Sequence, residues 1–339
     1  MATMKQIVFT RPNTAEFLDR EIPAVGAGQV AVKTVISSIS CGTERALCSG
    51  DPNVSIAVAE GVEVTFPRTS GYSSAGVVLE VGAGVTDLKV GDRVAMIWSC
   101  HAEINVMPRA NVFKLDDKIS FSAAALCHIG TFPLAAIRKT KLDIGESMLV
   151  MGLGILGLWA VSLAKTAGAV PVIAVDPVKE RREKALSLGA DYAFDPTEPD
   201  FVQKVKAVTG GGVNTVVEVT GLGVGMDQSL DCMAKFGRIA LLGCTRNKEF
   251  YIDYYRKVHG PGITIIGAHT NARPKFESSD GWFTVKDDME ALLKLTALGR
   301  IDPAAMIDEV FKPEDCEAIY TRLINDRNFP PVAQFVWEE

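Results

Sequence analysis

The feature that most constrains this chain is "VMGLGILG", residues 150–157, which sets Gly152, Gly154 and Gly157 in the spacing G-x-G-x-x-G. The preceding "SMLVM" reads as a strand and "ILGLWAVSLAKTAGA" after it as a helix. A second apolar run, "PVIAVD", ends on Asp176. A strand, a glycine turn, a helix and a second strand closing on an acid about 20 residues further on make a dinucleotide-binding fingerprint. Gly152 permits the tight turn, Gly154 lets backbone approach a pyrophosphate, and Gly157 allows the helix to pack on the strand. Ile155 and Leu156 open that helix, whose free N–H groups face the phosphates. Asp176 accepts from the ribose hydroxyls of NAD and repels the extra phosphate of NADP, with Arg181 in reach of the same ribose. NAD is the expected cofactor.

From residue 147 onward strands alternate with helices, and "NTVVEVTG", "GRIALLG" and "GITIIGAH" each end on a small residue. Six such strands imply a doubly wound parallel sheet, a Rossmann domain, with Thr220 and Gly243 bordering the cofactor. Residues 5 to 110 read differently, as β-branched strands punctuated by Gly and Asp, the texture of a small antiparallel barrel. A helix with a basic end is expected over 123–139. Beyond 270 come a polar loop, a helix near 286–298 and a strand-like "VAQFVWE".

Composition narrows the class of partner. A net charge of −6, with no basic stripe, argues against nucleic acid or an anionic membrane. The longest apolar run, 149–164, is shorter than a bilayer span of ~20 residues. Without a signal-like segment at the start, seven scattered cysteines suggest a reducing cytoplasm and no disulfide scaffold.

"CGTE" (41–44), "GYSSAGVVLEVGAGV" (71–85) with "VGDRV" (90–94), "GLGILG" (152–157) and "VVEVTG" (216–221) together resemble the medium-chain dehydrogenase/reductase superfamily, of the zinc alcohol dehydrogenase type. The resemblance implies an α/β protein in two domains. A GroES-like β-barrel substrate domain covers 1–128, a Rossmann domain 129–269, and 270–339 returns to the first. It also implies a catalytic zinc held by Cys41, by the histidine of a Gly-His-Glu motif and by Cys127, with Thr131 following. Here that motif reads Gly71-Tyr72-Ser73. Catalytic zinc needs three protein ligands, so Glu44 or His128 would have to join Cys41 and Cys127. The reading is a partly dismantled zinc site, short of full occupancy. A structural zinc is not expected, since Cys100 stands alone where that lobe needs four cysteines.

Without a Lewis acid, hydrogen-bond donors must meet the oxyanion that develops during hydride transfer. Tyr72 is a donor at neutral pH, Thr43 is placed by the resemblance to relay a proton, and His128 titrates near neutrality. Tyr72 packed in the barrel mouth and His128 as a structural histidine at a helix start are the alternatives. His269 and Arg273 are expected to line the cleft between domains, with Trp282 closing over substrate. The expected activity is NAD-dependent, reversible oxidation of a secondary alcohol or polyol to a carbonyl. A metal-free quinone or enone reductase and a non-catalytic NAD(H)-binding protein stay open. The edge strand "GITIIGAH" suggests a homodimer or a dimer of dimers.

Overall fold

β-Branched residues alternating with turn residues make the first part of the chain a set of short strands. The computed structural model describes residues 2–52, 64–245 and 249–338. β1 (Thr3–Arg11) and β2 (Thr14–Glu21) form an antiparallel hairpin. β3 (Gln29–Ile39) runs into α1 (Cys41–Ser49), which stops at the left-handed Gly50. β4 (Ser73–Val81), β5 (Arg93–Ile97), β6 (Ile104–Pro108) and β7 (Val112–Lys114) follow. The expected helix then appears as α2 (Phe121–Thr140), ending in Arg138 and Lys139, basic residues suited to a helix C-terminus. By length and apolarity α2 meets the requirement for a bilayer span, which the sequence assigned to no segment, but 83% of that window is buried in the fold.

β8 (Met148–Met151), α3 (Ile155–Thr166), β9 (Val172–Val175), α4 (Lys179–Ser187), β10 (Tyr192–Phe194) and α5 (Phe201–Thr209) come next. β11 (Val213–Glu218), α6 (Gly223–Cys232), β12 (Met233–Leu241) and β13 (Thr264–Gly267) complete the alternation. The six strands form a parallel sheet in the order β10-β9-β8-β11-β12-β13. The chain steps outward from β8 in one direction and then, from β11, in the other. This places a topological switch point between β8 and β11, where such sheets bind ligands. Leu149, Val216, Ile239 and Phe201 pack the sheet against its helices.

After α7 (Val285–Ala297) the chain adds β14 (Glu309–Phe311), α8 (Cys316–Asn325) and β15 (Ala333–Val336). β15 lies antiparallel to β3, giving a second sheet in the order β14-β15-β3-β4-β5-β7, with β6 on β3. Its pairs are antiparallel except β14 with β15. Phe9, Tyr320 and Phe335 fill the core beside it.

Two compact units result, 1–129 with 292–339 and 130–291, the first boundary falling inside α2 and the second inside α7. Within the second unit Arg273 Nη2 donates to the Thr131 carbonyl at 3.0 Å, tying the 268–284 loop to α2.

Candidate active site

The chain leaves β8 through Gly152, whose φ of +97° lies in the left-handed region. A Cβ on Gly157 would sit 1.9 Å from the Gly152 carbonyl oxygen, so glycine is required where α3 starts against the turn. Gly154 caps α3 in an extended conformation, and a Cβ built there meets nothing within 4 Å. Open space therefore lies before the N–H groups of the first helical turn, which Ile155 and Leu156 begin. An anionic pyrophosphate fits such a cradle.

Asp176, one residue past β9, is buried, and its two oxygens accept the Leu153 and Val178 N–H groups, each at 2.9 Å. It therefore holds the glycine turn against β9. A carboxylate offers about four lone-pair sites, which leaves two for ribose hydroxyls. Arg181, in the first turn of α4, lies 3.8 Å from the Asp176 carboxylate.

On the other side of the switch point, Glu218 ends β11 as a buried carboxylate, a residue that sequence reasoning passed over. It accepts the Thr220 N–H at 2.8 Å, the Gly221 N–H at 3.1 Å and the Thr220 hydroxyl. Burial pushes its carboxyl above the ordinary range, against those hydrogen bonds. Gly152 and Thr220 are neighbours, since a Cβ on Gly152 would lie 2.9 Å from Thr220 Cγ2. Gly243 joins them, its own Cβ position being 2.3 Å from the Gly221 nitrogen. His269 sits just beyond β13, accepting the Asn271 N–H through Nδ1 at 3.1 Å. Burial, and then the charge of Lys139, lower its pKa and favour the neutral ring.

In the first unit, the Tyr72 hydroxyl donates to Ser40 Oγ at 2.6 Å. The Tyr72 carbonyl accepts from His128 Nδ1 at 2.7 Å and from the Trp98 N–H at 2.8 Å. That bond fixes the proton of a neutral His128 on Nδ1. His128 is buried inside α2 and not at a helix start as the sequence suggested. Its ring lies edge-on to Tyr72 at 5.5 Å and to Trp98 at 4.6 Å. Trp98 is 48% exposed at a φ of +57°, a conformation disfavoured for a bulky side chain and kept here beside the two rings. Thr43 is half-buried in the first turn of α1.

Glu44 is fully buried beneath Ser40 and accepts its N–H at 2.9 Å. It also accepts the Tyr320 hydroxyl at 2.6 Å, with His101 Nε2 at 3.2 Å. His101 Nδ1 meets Ser37 Oγ at 2.7 Å, and that oxygen accepts the Trp337 indole N–H at 2.8 Å. Donors and acceptors balance with the His101 proton on Nε2. Three donors thus occupy the Glu44 carboxylate, one of the two groups that would have to complete a zinc site.

Both cysteine thiols lie against backbone carbonyls. Cys41 Sγ lies 3.5 Å from the Pro330 carbonyl oxygen, and Cys127 Sγ donates to the Ala123 carbonyl of its own helix at 3.5 Å. Burial pushes the Cys127 thiol up to about 12. Among the described residues, no three His, Cys, Asp or Glu side chains are grouped to hold a metal.

Comparison with known proteins places both units. Residues 26–132 match the alcohol dehydrogenase GroES-like domain, and 156–284 match the zinc-binding dehydrogenase domain. The chain is 31% identical over 316 residues to L-threonine 3-dehydrogenase of Pyrococcus abyssi, covering 83% of this chain and 86% of that protein. It is 31% identical over 251 residues to (R,R)-butanediol dehydrogenase of Bacillus subtilis, covering 66% and 72%. The crystal structure of 2R,3R-butanediol dehydrogenase from that bacterium superposes with a TM-score of 0.81 at 24% identity, over 99% of this chain and 100% of that one. With a GroES-like module, a nucleotide sheet wound about a glycine turn and relatives that are dehydrogenases, the chain belongs to the medium-chain dehydrogenase/reductase superfamily, as an alcohol dehydrogenase-like oxidoreductase.

Proposed function

We propose that this enzyme oxidises a secondary alcohol or polyol reversibly with NAD, using Tyr72 where its zinc-dependent relatives use a metal. The observation that carries the proposal is the Tyr72 phenol, half-buried and hydrogen-bonded to Ser40 at the motif position where the family places its histidine ligand. When bound, the nicotinamide accepts the hydride from the carbinol carbon or returns it. The alcohol hydroxyl donates to the Tyr72 oxygen while Tyr72 donates to Ser40. As the carbonyl forms, the alcohol proton passes to Tyr72 and the phenol proton to Ser40. Ser40 releases its own proton onward, with Thr43 in the next positions of α1 as the relay toward solvent. In reduction the sequence reverses, and Tyr72 donates to the developing oxyanion. His128 and Trp98 flank the Tyr72 ring and hold its backbone carbonyl, which makes His128 a positioning residue in this reading.

The donor set does not fit a catalytic zinc. Cys127 Sγ is buried and donates to the Ala123 carbonyl of its own helix. Cys41 faces a carbonyl oxygen, and three donors already occupy the Glu44 carboxylate. Elemental mass spectrometry on protein purified without a metal-affinity tag is therefore expected to find far less than one zinc per chain, in wild type and Cys41→Ala alike. Chelation is expected to leave activity unchanged. Near-stoichiometric zinc that vanishes in Cys41→Ala would overturn this.

NAD is preferred over NADP because Asp176 presents a carboxylate to the ribose. Replacing Asp176 with serine should weaken NADH binding about 10- to 100-fold, the scale of one or two lost charge-assisted hydrogen bonds, and improve NADPH binding. Equal affinity of the wild type for both cofactors, in a fluorescence titration, would count against the assignment.

A homodimer is supported by β13, which ends its sheet, and by exposed apolar side chains in the same unit. Phe236 is 77% exposed, Tyr254 63% and Tyr255 69%. Light scattering should give the mass of two chains, or of four as a dimer of dimers; a monomer at micromolar concentration would refute it. The seven thiols fit a reducing cytoplasm.

A further inference from the structure

Three cations gather within the second unit where β13 ends, with one buried carboxylate between them. Lys139 is 6% exposed, donates to the Gly267 carbonyl at 3.2 Å and stands 4.7 Å from the centre of the Trp282 ring. The Arg273 side chain is 5% exposed. Its Nη2 donates to the Thr131 carbonyl at 3.0 Å, and its Nη1 lies 3.2 Å from Asp288 Oδ2. Its Nε is buried with no hydrogen-bond partner among the described residues. Arg138 pairs with the other oxygen of Asp288 and lies over the Phe283 ring at 3.8 Å. Asp287 is turned to the Ser278 and Thr284 hydroxyls. His269, beside Lys139, is depressed toward neutrality.

The charges in this cluster do not balance. Asp288 is divided between two guanidinium groups, and burial pushes its carboxyl up to about 6. Burial, with Arg273 adding to it, pulls Lys139 down to about 8 against the attraction of Asp288. An ammonium carries three donors, and Lys139 spends one on Gly267. Three cations that share one carboxylate, with spare donors on Lys139 and Arg273, are arranged for a further oxyanion.

The position indicates whose oxyanion it is. Asp176 follows β9, so the adenosine half of the cofactor lies on the β9 side and the nicotinamide half on the β11–β13 side. β13 is three strands from β8, roughly 14 Å at about 4.8 Å per strand, so the pyrophosphate at the head of α3 is not the ligand. The nicotinamide itself carries no anion. We propose that Lys139 and Arg273, with the His269 ring beside them, receive a carboxylate or phosphate borne by the substrate, so that the alcohol oxidised is an anionic one. The substrate clause rests on the oxidoreductase reading above; the anion site does not.

The test has two arms. In the first, acetate and inorganic phosphate are titrated into the protein at constant ionic strength, with and without NADH, and followed by melting temperature. Saturable stabilisation is expected in the wild type. Lys139→Met should weaken it about tenfold or more, and Asp288→Asn, which removes the competing carboxylate, should tighten it. Affinity should also fall as pH rises through about 8, where Lys139 loses its proton. No saturable binding, or undiminished binding by Lys139→Met, overturns the site. A failure of NADH to bind counts against the cofactor reading and leaves the NADH-free titration to decide the site.

In the second arm, carboxylate-bearing secondary alcohols such as 3-hydroxybutyrate are compared with their methyl esters. A preference for the acids of about tenfold in kcat/KM, lost in Lys139→Met, supports an anionic substrate. Equal or better use of the esters overturns the substrate clause. So does oxidation of neutral alcohols alone, and turnover of none counts against both that clause and the alcohol-oxidising reading.

Discussion

Glu44→Ala is expected to lower the melting temperature by roughly 8–15 °C. The carboxylate is fully buried and is the shared acceptor for the Ser40 N–H, the Tyr320 hydroxyl and His101. Removing it strands three donors in a region packed by Phe9, Phe335 and Tyr320. Each stranded donor costs about 1–3 kcal/mol, and the loss of one partner from a buried charged cluster about 3–5 kcal/mol in all. A protein of this size loses about 2–4 °C per kcal/mol. Glu44→Gln should cost about half as much, because His101 has a second tautomer available. With the proton on Nδ1 donated to Ser37, Nε2 accepts from the glutamine amide, and Ser37 Oγ can still take the Trp337 N–H on its other lone pair. A calorimetric shift below about 3 °C for Glu44→Ala would mean that water already serves these donors.

That cluster is also the part of the molecule least legible in the sequence. Glu44 and His101 are 57 residues apart, and Tyr320 joins from 276 residues beyond Glu44 on α8. No spacing rule links a helix, a loop after β5 and a C-terminal helix, so only folding brings them together. The nucleotide half could be read because its determinants are local. A tight turn, a close helix start and an acid at the end of the next strand all lie within one βαβ unit, and each demands a particular residue type. Cysteines 41 and 127 were visible as residues, but a sequence carries no information on which way a thiol points. Both thiols face backbone carbonyls. Trp98 was passed over for a related reason, since its positive φ, which keeps the indole beside His128, is imposed by the strands around it. Ser40 and Glu218 had weak signals: one precedes "CGTE" at a helix start, the other is the single acid within "VVEVTG".

Tyr72→Phe is expected to lower kcat by about 10²- to 10³-fold while leaving NADH affinity unchanged. The substitution deletes one oxygen and keeps the ring, so the contacts with His128 at 5.5 Å and Trp98 at 6.0 Å persist, as do the backbone bonds to the Tyr72 carbonyl. What is lost is the donor to the developing oxyanion and the link to Ser40. Removal of one preorganised donor of this kind costs about 2.7–4 kcal/mol in the transition state. The effect should fall on kcat and kcat/KM together, because the bond strengthens only as charge appears on the substrate oxygen. Ser40→Ala separates the two parts of the role. It removes the 2.6 Å partner of the phenol and leaves the phenol itself, so a smaller fall of about tenfold is expected, with slower proton release. Its backbone N–H still serves Glu44, so stability should barely change. Retention of full kcat by Tyr72→Phe would remove Tyr72 from the chemistry. In a protein also shown to hold stoichiometric zinc, it would return the reaction to Cys41 and a ligand set reorganised on metal binding. In a zinc-free protein, Thr43 would become the first residue to replace.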